Sequence, residues 1–195
     1  MTFASLLAYK ELDEGGTIIE RNSYFDEVSN DYSSYGSVYT NFYESYTKSD
    51  MKRRMQASKM FYIHTHGNYD SFLLSPTVNM TRADLSGVDL SEMKFLMLIA
   101  CSCAQGGYNA ERTYDSNLLE RLISMGVTTA IAFSDTIYTV DGDIFAEQFT
   151  HFAVELGHSV YLSIALIPYT EFIYDSSTAD KAVIGGNSGL FIINA

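Results

Sequence analysis

Two short apolar runs, about 30 residues apart, constrain this chain more than any other feature. The first occupies residues 60–68 and ends at His66 and Gly67, and the second occupies residues 95–107 and reaches Cys101 where its apolar residues end. A short apolar run bounded by turn formers is typical of a buried strand. The sequence therefore predicts two neighbouring strands that deliver an imidazole and a thiol to the carboxyl edge of a sheet, where open α/β proteins bind ligands.

The rest of the chain alternates between strand and helix patterns. Strands are predicted at residues 3–12, 37–46, 59–65, 94–100, 127–133 and within 182–193, with a hairpin arm at 71–75. Helices are predicted around 24–35, at 47–58, 116–125 and 159–167, and over the face formed by Phe145, Phe149, Phe152 and Leu156. A turn is expected at Gly15-Gly16. This alternation predicts an α/β fold, with right-handed crossovers and a mostly parallel sheet covered by helices on both faces.

Composition limits the class of protein and its partners. The 195 residues fit one domain spanning residues 1–195, and with 47% hydrophobic residues and two prolines the chain can bury a full core. A formal charge of −12 repels phosphate backbones, so no nucleic acid partner is expected, and a cationic peptide is mildly favoured. The sequence carries no signal for an oligomeric state.

Compartment is inferred from the N-terminus and the cysteines. The first ten residues lack a basic start and a small-residue cleavage site, and no apolar run approaches the roughly 20 residues that cross a bilayer. The two cysteines are separated by one residue and are poorly placed to bridge each other. Free thiols suit a reducing compartment, so a cytoplasmic location without membrane attachment is expected.

The thiol and the imidazole together suggest acyl transfer. A cysteine attacks as its thiolate, and a histidine on a neighbouring strand can carry out the proton transfers. Gly67 directly after His66 lets a backbone N–H approach a developing oxyanion. As a signal for catalysis the pairing of one cysteine with one histidine is moderately specific, because a buried cysteine acts more often as a small hydrophobic residue than as a nucleophile.

The two strand ends, His66-Gly67 and Ala100-Cys101, resemble the caspase-like clan of cysteine peptidases, which includes caspases, legumain, clostripain, gingipains and CHAT proteases. The similarity extends to residues 83–90 before the second strand, to the helix and strand at 118–133, and to residues 157–160. It covers roughly residues 47 to 193. The resemblance implies a three-layer caspase-like sandwich.

The resemblance also implies roles for individual residues. Cys101 is expected to be the nucleophile and His66 the general base, with the backbone N–H groups of Gly67 and Cys101 as the oxyanion hole. The activity implied is that of a cysteine endopeptidase acting on a peptide or protein substrate, with no cofactor and no metal. Two features depart from CHAT domains: Ser102 replaces a charged residue, and the strand ending at residue 133 lacks a following tryptophan.

Asp135 is the candidate for substrate selection. In this clan an acidic residue after the strand that follows the nucleophile can select Arg or Lys as the residue before the cut bond, called P1. Asp135 has that position by sequence, and Asp141 and Asp143 are weaker candidates that could instead cap the next helix. A purely local role for Asp135, capping or hydrogen-bonding its loop, carries about equal weight.

Two other classes of function remain open from the residues. In a strand, positions i and i+2 share a face, so His64 and His66 with Cys101 and Cys103 could form a structural Cys2His2 zinc site. A catalytically silent caspase-like module that binds a partner is the other alternative. For His64 and Cys103 a packed or hydrogen-bonded position near the site is the favoured interpretation.

Overall fold

The structure is a computed structural model that describes residues 2–9, 18–106 and 117–194. The turn predicted at Gly15-Gly16, the end of the second apolar run at Gly107 and the first residue of the helix predicted at 116–125 lie outside the described residues. Among the described helices, none is both long and apolar enough to cross a membrane.

Most strands form one central sheet. The strands in the described part of the chain are β1 (Thr2–Tyr9), β2 (Val38–Tyr43), β3 (Ser58–His64), β4 (Ser71–Ser75), β5 (Val78–Thr81), β6 (Phe95–Ile99), β7 (Thr129–Phe133) and β8 (Ala182–Gly186). Six of them run in the order β2-β1-β3-β6-β7-β8, and β4 pairs with β5 in a separate hairpin. All neighbours in the large sheet are parallel except β8, which is antiparallel to β7. The predicted mostly parallel sheet is thus confirmed.

Five α-helices connect these strands in the described residues: α1 (Ile18–Ser33), α2 (Lys48–Gln56), α3 (Leu118–Ser124), α4 (Thr139–Thr150) and α5 (Val160–Ala165). Three begin at capping side chains that accept a backbone N–H from the first turn: Thr47, Asn117 and Ser159. The helices therefore start at polar residues that local sequence alone marks as caps.

Helix α4 differs from the prediction at both ends. It begins at Thr139 with Tyr138 as N-cap, so Asp141 and Asp143 lie inside the helix and do not cap it. After Thr150 the chain makes a π-helical turn over His151–Glu155. A π turn advances the side chains differently from an α-helix, and Leu156, predicted on the buried face, is exposed.

The sheet separates two apolar cores, as expected for helices on both faces. One core is covered by α1, α4 and α5 and includes Tyr62, Phe95 and Phe149. The other is covered by α2 and α3 and includes Ile63 and Leu98. Strands β3 and β6 lie at the centre, buried on both sides, which explains their nearly continuous apolar sequence.

Candidate active site

His66 and Cys101 leave the sheet at the same edge, on adjacent strands. The last paired residues of β3 and β6 are His64 and Ile99, and the Thr65 N–H donates to the Ile99 carbonyl at 3.0 Å. His66 and Cys101 each follow two residues after that pair. The fold therefore brings the backbone of His66 and the backbone of Cys101 to the same edge, the carboxyl end of the sheet, as the two apolar runs predict.

Cys101 opens a tight turn that is fixed to the loop after β7. The Cys101 side chain is half-buried, and its Sγ donates to the Ile137 carbonyl at 3.7 Å. Ser102 has a φ of 57°, a left-handed conformation that costs a non-glycine residue about 1–3 kcal/mol. Its N–H donates to the Asp135 carbonyl at 3.1 Å. The strand does not continue past Cys101, and the thiol is held at a defined position against the next loop.

His66 is exposed, and the backbone holds it in place. Its carbonyl accepts the Leu73 N–H at 2.9 Å, which ties it to the β4–β5 hairpin. The ring of Tyr9, the last residue of β1, approaches the imidazole edge-on with 6.3 Å between ring centroids. The imidazole is thus accessible from solvent while its backbone is fixed.

Gly67 lies at a position where a side chain would clash with its neighbours. A Cβ atom on Gly67 would lie 2.7 Å from Cys103 Sγ and 2.9 Å from Ala100 Cβ. Within the described part of the chain, neither the Gly67 N–H nor the Cys101 N–H donates a hydrogen bond to a protein acceptor. Two backbone donors on neighbouring strand ends are therefore available to a bound oxygen atom, as an oxyanion hole requires.

The zinc site considered from the sequence is not assembled. Because the chain turns after Cys101, that residue packs against the core under α4, whereas Cys103 is buried in the core on the opposite face of the sheet. Burial raises the pKa of the Cys103 thiol well above its ordinary value. No group of three or more potential ligands is found in the described ranges. The hypothesis of a shared face for Cys101 and Cys103 was wrong, because strand alternation ends with β6.

His64 forms a buried pair with Asp143. The His64 Nδ1 atom lies 2.6 Å from Asp143 Oδ1, and the two side chains are 3% and 1% exposed. The second carboxylate oxygen, Oδ2, is buried and has no hydrogen-bond partner in the described structure. The favoured interpretation of His64 as a hydrogen-bonded residue near the site is confirmed.

Of the three aspartates considered for substrate selection, Asp135 alone is exposed. Its Oδ1 accepts the Thr136 N–H at 2.7 Å, so one carboxylate oxygen is used locally. Asp141 is fully buried and accepts backbone N–H bonds from residues 173–175, and Asp143 is bound to His64. The weaker candidates, Asp141 and Asp143, are therefore removed as substrate-contacting residues.

Lys181, which contacts this loop, is bound to other groups. Lys181 Nζ donates to the Thr136 carbonyl at 2.6 Å and to Asp175 Oδ2 at 2.5 Å. The lysine lowers the pKa of Asp175 to about 2, so that carboxylate is ionised at neutral pH. Lys181 is thus paired with Asp175, and the Asp135 side chain is exposed beside the Cys101 turn.

Comparison with solved structures identifies the architecture. Gingipain R (RgpB) of Porphyromonas gingivalis, an Arg-specific cysteine proteinase, superposes with a TM-score of 0.72 at 13% identity, over 96% of this chain and 47% of that chain. The chain has a caspase-like fold. Separase in the Saccharomyces cerevisiae separase–securin complex matches with a TM-score of 0.60 at 14% identity, over 95% of this chain and 12% of that one.

Caspase-1 from Spodoptera frugiperda shares the caspase-like fold over most of its own length. The TM-score is 0.55 at 10% identity, over 95% of this chain and 87% of the caspase. By contrast, the chain spans about half the length of the gingipain chains. All these proteins are cysteine peptidases of the caspase-like clan. No protein-family model and no curated protein matches the sequence.

Within the caspase-like fold, the sequence did not reveal how the thiol is held. The contact of Cys101 with Ile137 and the left-handed turn at Ser102 join residues from different loops, and no local pattern marks them. The pairing of His64 with Asp143 was also missed. The one available signal was the polar character of His64 at the end of an apolar strand, since buried polar groups need partners.

Proposed function

We propose that this protein is a cysteine endopeptidase in which Cys101 is the nucleophile and His66 moves the protons. The observation that carries the proposal is the adjacency of these residues at two neighbouring strand ends, together with the unpaired N–H groups of Gly67 and Cys101. The similarity to cysteine peptidases with the same fold supports it. A thiol, an imidazole and two free donors are the groups that acyl transfer requires.

The reaction proceeds in two halves. The Cys101 thiolate attacks the carbonyl carbon of the scissile peptide bond, and the oxyanion that forms accepts hydrogen bonds from the Gly67 and Cys101 N–H groups. His66, carrying the thiol proton, protonates the leaving amine as the C–N bond breaks, which leaves a thioester on Cys101. His66 then takes a proton from water, whose oxygen attacks the thioester. The products are the carboxylate and the restored thiol.

Asp135 is proposed to select a basic P1 side chain. Its exposed carboxylate belongs to the loop whose backbone contacts both Ser102 and the Cys101 thiol. An Arg or Lys beside an exposed carboxylate gains a charge-assisted hydrogen bond. The Arg specificity of gingipain R supports this choice, as does the formal charge of −12, which favours cationic peptides.

An exposed aromatic pair next to this loop is proposed to support the peptide chain. Tyr138 and Tyr174 are 42% and 54% exposed, with 5.3 Å between their ring centroids. Tyr138 directly follows Ile137, whose carbonyl accepts the Cys101 thiol. Large aromatic surfaces that remain exposed beside a reactive group are suited to bind side chains of an extended peptide.

Covalent labelling with peptidyl acyloxymethyl ketones tests the proposal. Probes ending in Arg or Lys should label the wild type and not Cys101→Ala, and His66→Ala should slow labelling by about 10²–10⁴-fold. Cys103→Ala is the matched control, because it removes the other thiol, and it should keep the label. Labelling that survives Cys101→Ala would contradict the assignment of the nucleophile, and a preference for Asp- or Asn-ending probes would contradict the P1 assignment.

A second candidate is a silent caspase-like module that binds a partner. The observation that favours it is the hydrogen bond from Cys101 Sγ to the Ile137 carbonyl, which engages the thiol with the backbone. This candidate predicts no labelling by basic, acidic or Asn-ending probes, while Tyr138 and Tyr174 would still bind a peptide. Labelling of Cys101 by any of these probes excludes it.

A further inference from the structure

The buried His64–Asp143 pair has no part in the proposed reaction, although it lies directly beneath the reacting groups. His64 is two residues before His66 on β3, and its register partner Ile99 is two residues before Cys101 on β6. The pair is enclosed at the carboxyl end of both strands, with 2.6 Å between His64 Nδ1 and Asp143 Oδ1. A short hydrogen bond between buried groups is directional and resists displacement.

The pair joins three elements that form the site. Asp143 is on the first half of α4, and its neighbour Gly142 packs tightly on both strands. A Cβ atom on Gly142 would lie 2.6 Å from Ile99 Cγ2 and 3.3 Å from His64 Nε2. Helix α4 therefore contacts the end of β3 and the end of β6 at once, and the hydrogen bond between His64 and Asp143 links the end of β3 to this helix.

The segment immediately before α4 carries the groups that face the nucleophile. Its Ile137 carbonyl accepts the Cys101 thiol, and its Asp135 carbonyl accepts the Ser102 N–H. A shift of α4 would move both acceptors relative to Cys101. The position of the thiol against His66 thus depends on how firmly the start of α4 is held to β3.

Stability alone does not account for such a pair. Asp143 Oδ2 is buried without a partner, which is unfavourable, and two apolar side chains of similar shape would serve a core at least as well. What an apolar contact does not supply is a fixed direction between two atoms.

We propose that His64 and Asp143 are positioning residues, which hold α4 at the distance from β3 and β6 that aligns Cys101 with His66. The inference rests on the proposed function, because it concerns the geometry of that same site. The pair acts on the reaction through Ile137, Asp135 and the two strand ends, and not by contact with the substrate.

Labelling kinetics with the Arg-ending acyloxymethyl ketone test this proposal. His64→Leu should lower the maximal labelling rate by about 10–100-fold, the usual effect of removing a residue that orients a reacting group. His64→Asn keeps a nitrogen at the place of Nδ1 and should recover most of the rate. The control is Tyr62→Phe, two residues earlier on the same strand. It removes buried hydrogen bonds with the Tyr32 hydroxyl at 2.6 Å and with Thr150 Oγ1, at the far end of α4, at 3.3 Å. It should leave the rate unchanged.

The double variant His64→Leu/Asp143→Leu separates positioning from stability. It leaves no unpaired side-chain polar group at this position, so its thermal stability should exceed that of His64→Leu while its labelling rate stays low. Recovery of the rate together with stability would overturn the proposal, as would a folded His64→Leu protein that is labelled at the wild-type rate.

Alkylation of Cys101 by iodoacetamide gives a readout that does not require peptidase activity. Wild type that is alkylated at Cys101 but not labelled by any peptide probe would contradict the proposed function alone. An alkylation rate of Cys101 that is identical in wild type, His64→Leu and His64→Asn would contradict the positioning role, whichever way the peptide probe behaves.

Discussion

Gly67 and Cys103 are in contact so close that a Cβ atom on the glycine would lie 2.7 Å from the cysteine Sγ. The contact holds the residue after His66 against the buried side of the Cys101 turn. It gives Cys103, which has no chemical role in the proposed reaction, a defined structural one. The Cys103 thiol packs against the Gly67 backbone, next to the end of β6.

Substitution of Gly67 should therefore damage the site through steric contact. The backbone at Gly67 is outside the left-handed region, so alanine can adopt its conformation, but the added methyl group would displace Cys103 or the His66–Gly67 segment. Overpacking of this kind costs about 1–3 kcal/mol. Displacement of one oxyanion donor lowers rates by about 10²–10³-fold. We expect Gly67→Ala to fold with reduced stability and to lose labelling of Cys101.

The double variant Gly67→Ala/Cys103→Ala provides the control for this prediction. Removal of Sγ relieves the contact at 2.7 Å but leaves the one with Ala100 Cβ at 2.9 Å. Part of the lost stability should return, as measured by urea unfolding. If Gly67→Ala were as stable and as reactive as the wild type, the contact would not constrain the site.

Asp135→Asn should abolish the preference for basic P1 residues. The amide keeps the size of the side chain and removes its charge, so kcat/KM for Arg and Lys substrates should fall by about 10–100-fold relative to substrates with neutral P1 residues. Asp26→Asn is the matched control, because Asp26 is also exposed and its loss changes the net charge equally. An equal loss in both variants would show that the overall charge, and not Asp135, favours basic peptides.

The positions of the reactive residues could be predicted from the sequence because they depend on the order and direction of the strands. His66 and Cys101 could be expected together because parallel strands end at one edge of a sheet, and the structure has β3 and β6 adjacent and in register. The closing strand β8 and the two-sided core also follow the predicted alternation, whereas the antiparallel direction of β8 was not predicted. These features depend on periodicity, which a single sequence contains.

The features that sequence reasoning missed depend on where a strand stops or on contacts between distant segments. The zinc alternative required β6 to continue so that Cys103 shared a face with Cys101, whereas the turn at Ser102 ends the strand alternation. Asp143 is 79 residues from its partner His64, and nothing in the local sequence links them. Asp141 was considered for substrate binding, and its burial became evident only from the fold.

Asp141 is expected to be a structural anchor for the segment after α5. Its two carboxylate oxygens accept four hydrogen bonds from the backbone N–H groups of residues 173–175, at 2.7–3.2 Å. A hydrogen bond to a carboxylate contributes about 1.5–3 kcal/mol, and the three N–H groups would lose this acceptor. Because the donating residues are partly exposed and can bond water instead, we expect Asp141→Ala to lower the free energy of unfolding by about 2–3 kcal/mol in urea denaturation.

The matched comparison for Asp141 is Asp180→Ala. Asp180 is exposed, and its carboxylate accepts a hydrogen bond from the Tyr169 hydroxyl at 3.2 Å. Its loss should change stability by less than about 0.5 kcal/mol. Similar losses in the two variants would mean that the backbone bonds to Asp141 contribute little.

Carboxyl groups between α1 and α4 should make stability depend on pH. They line a groove of about 470 Å³ together with Asn30, Gln148 and His151. Burial, and then a hydrogen bond with Glu155, raises the pKa of Asp31 to about 7. Burial, and then a hydrogen bond with Glu27, raises the pKa of Glu147 to about 7. His151, whose Nδ1 lies 2.8 Å from Glu155, is the only basic side chain among the described residues lining this groove.

The sign of the effect follows from these raised pKa values. In the unfolded chain both groups lose their protons near pH 4, whereas in the folded protein they keep them up to about pH 7. The stabilisation is therefore complete below about pH 4 and is lost as the pH rises through about 7. Hydrogen bonds with Asp31 and then with His151 lower the pKa of Glu155. The stabilisation from Glu155 is therefore lost only as the pH falls into the acidic range, below the range considered for Asp31 and Glu147. The melting temperature of the wild type should decrease between about pH 5 and pH 8, relative to that of a variant in which neither group titrates.

The double variant Asp31→Asn/Glu147→Gln tests the assignment. Asparagine and glutamine still donate to Glu155 and Glu27 but carry no titrating proton, so the melting temperature should vary much less over the same pH range. At about pH 8 the variant should be more stable than the wild type, because it lacks the repulsion between neighbouring carboxylates. A variant whose melting curve shifts with pH as strongly as that of the wild type would locate the responsible groups elsewhere in the protein.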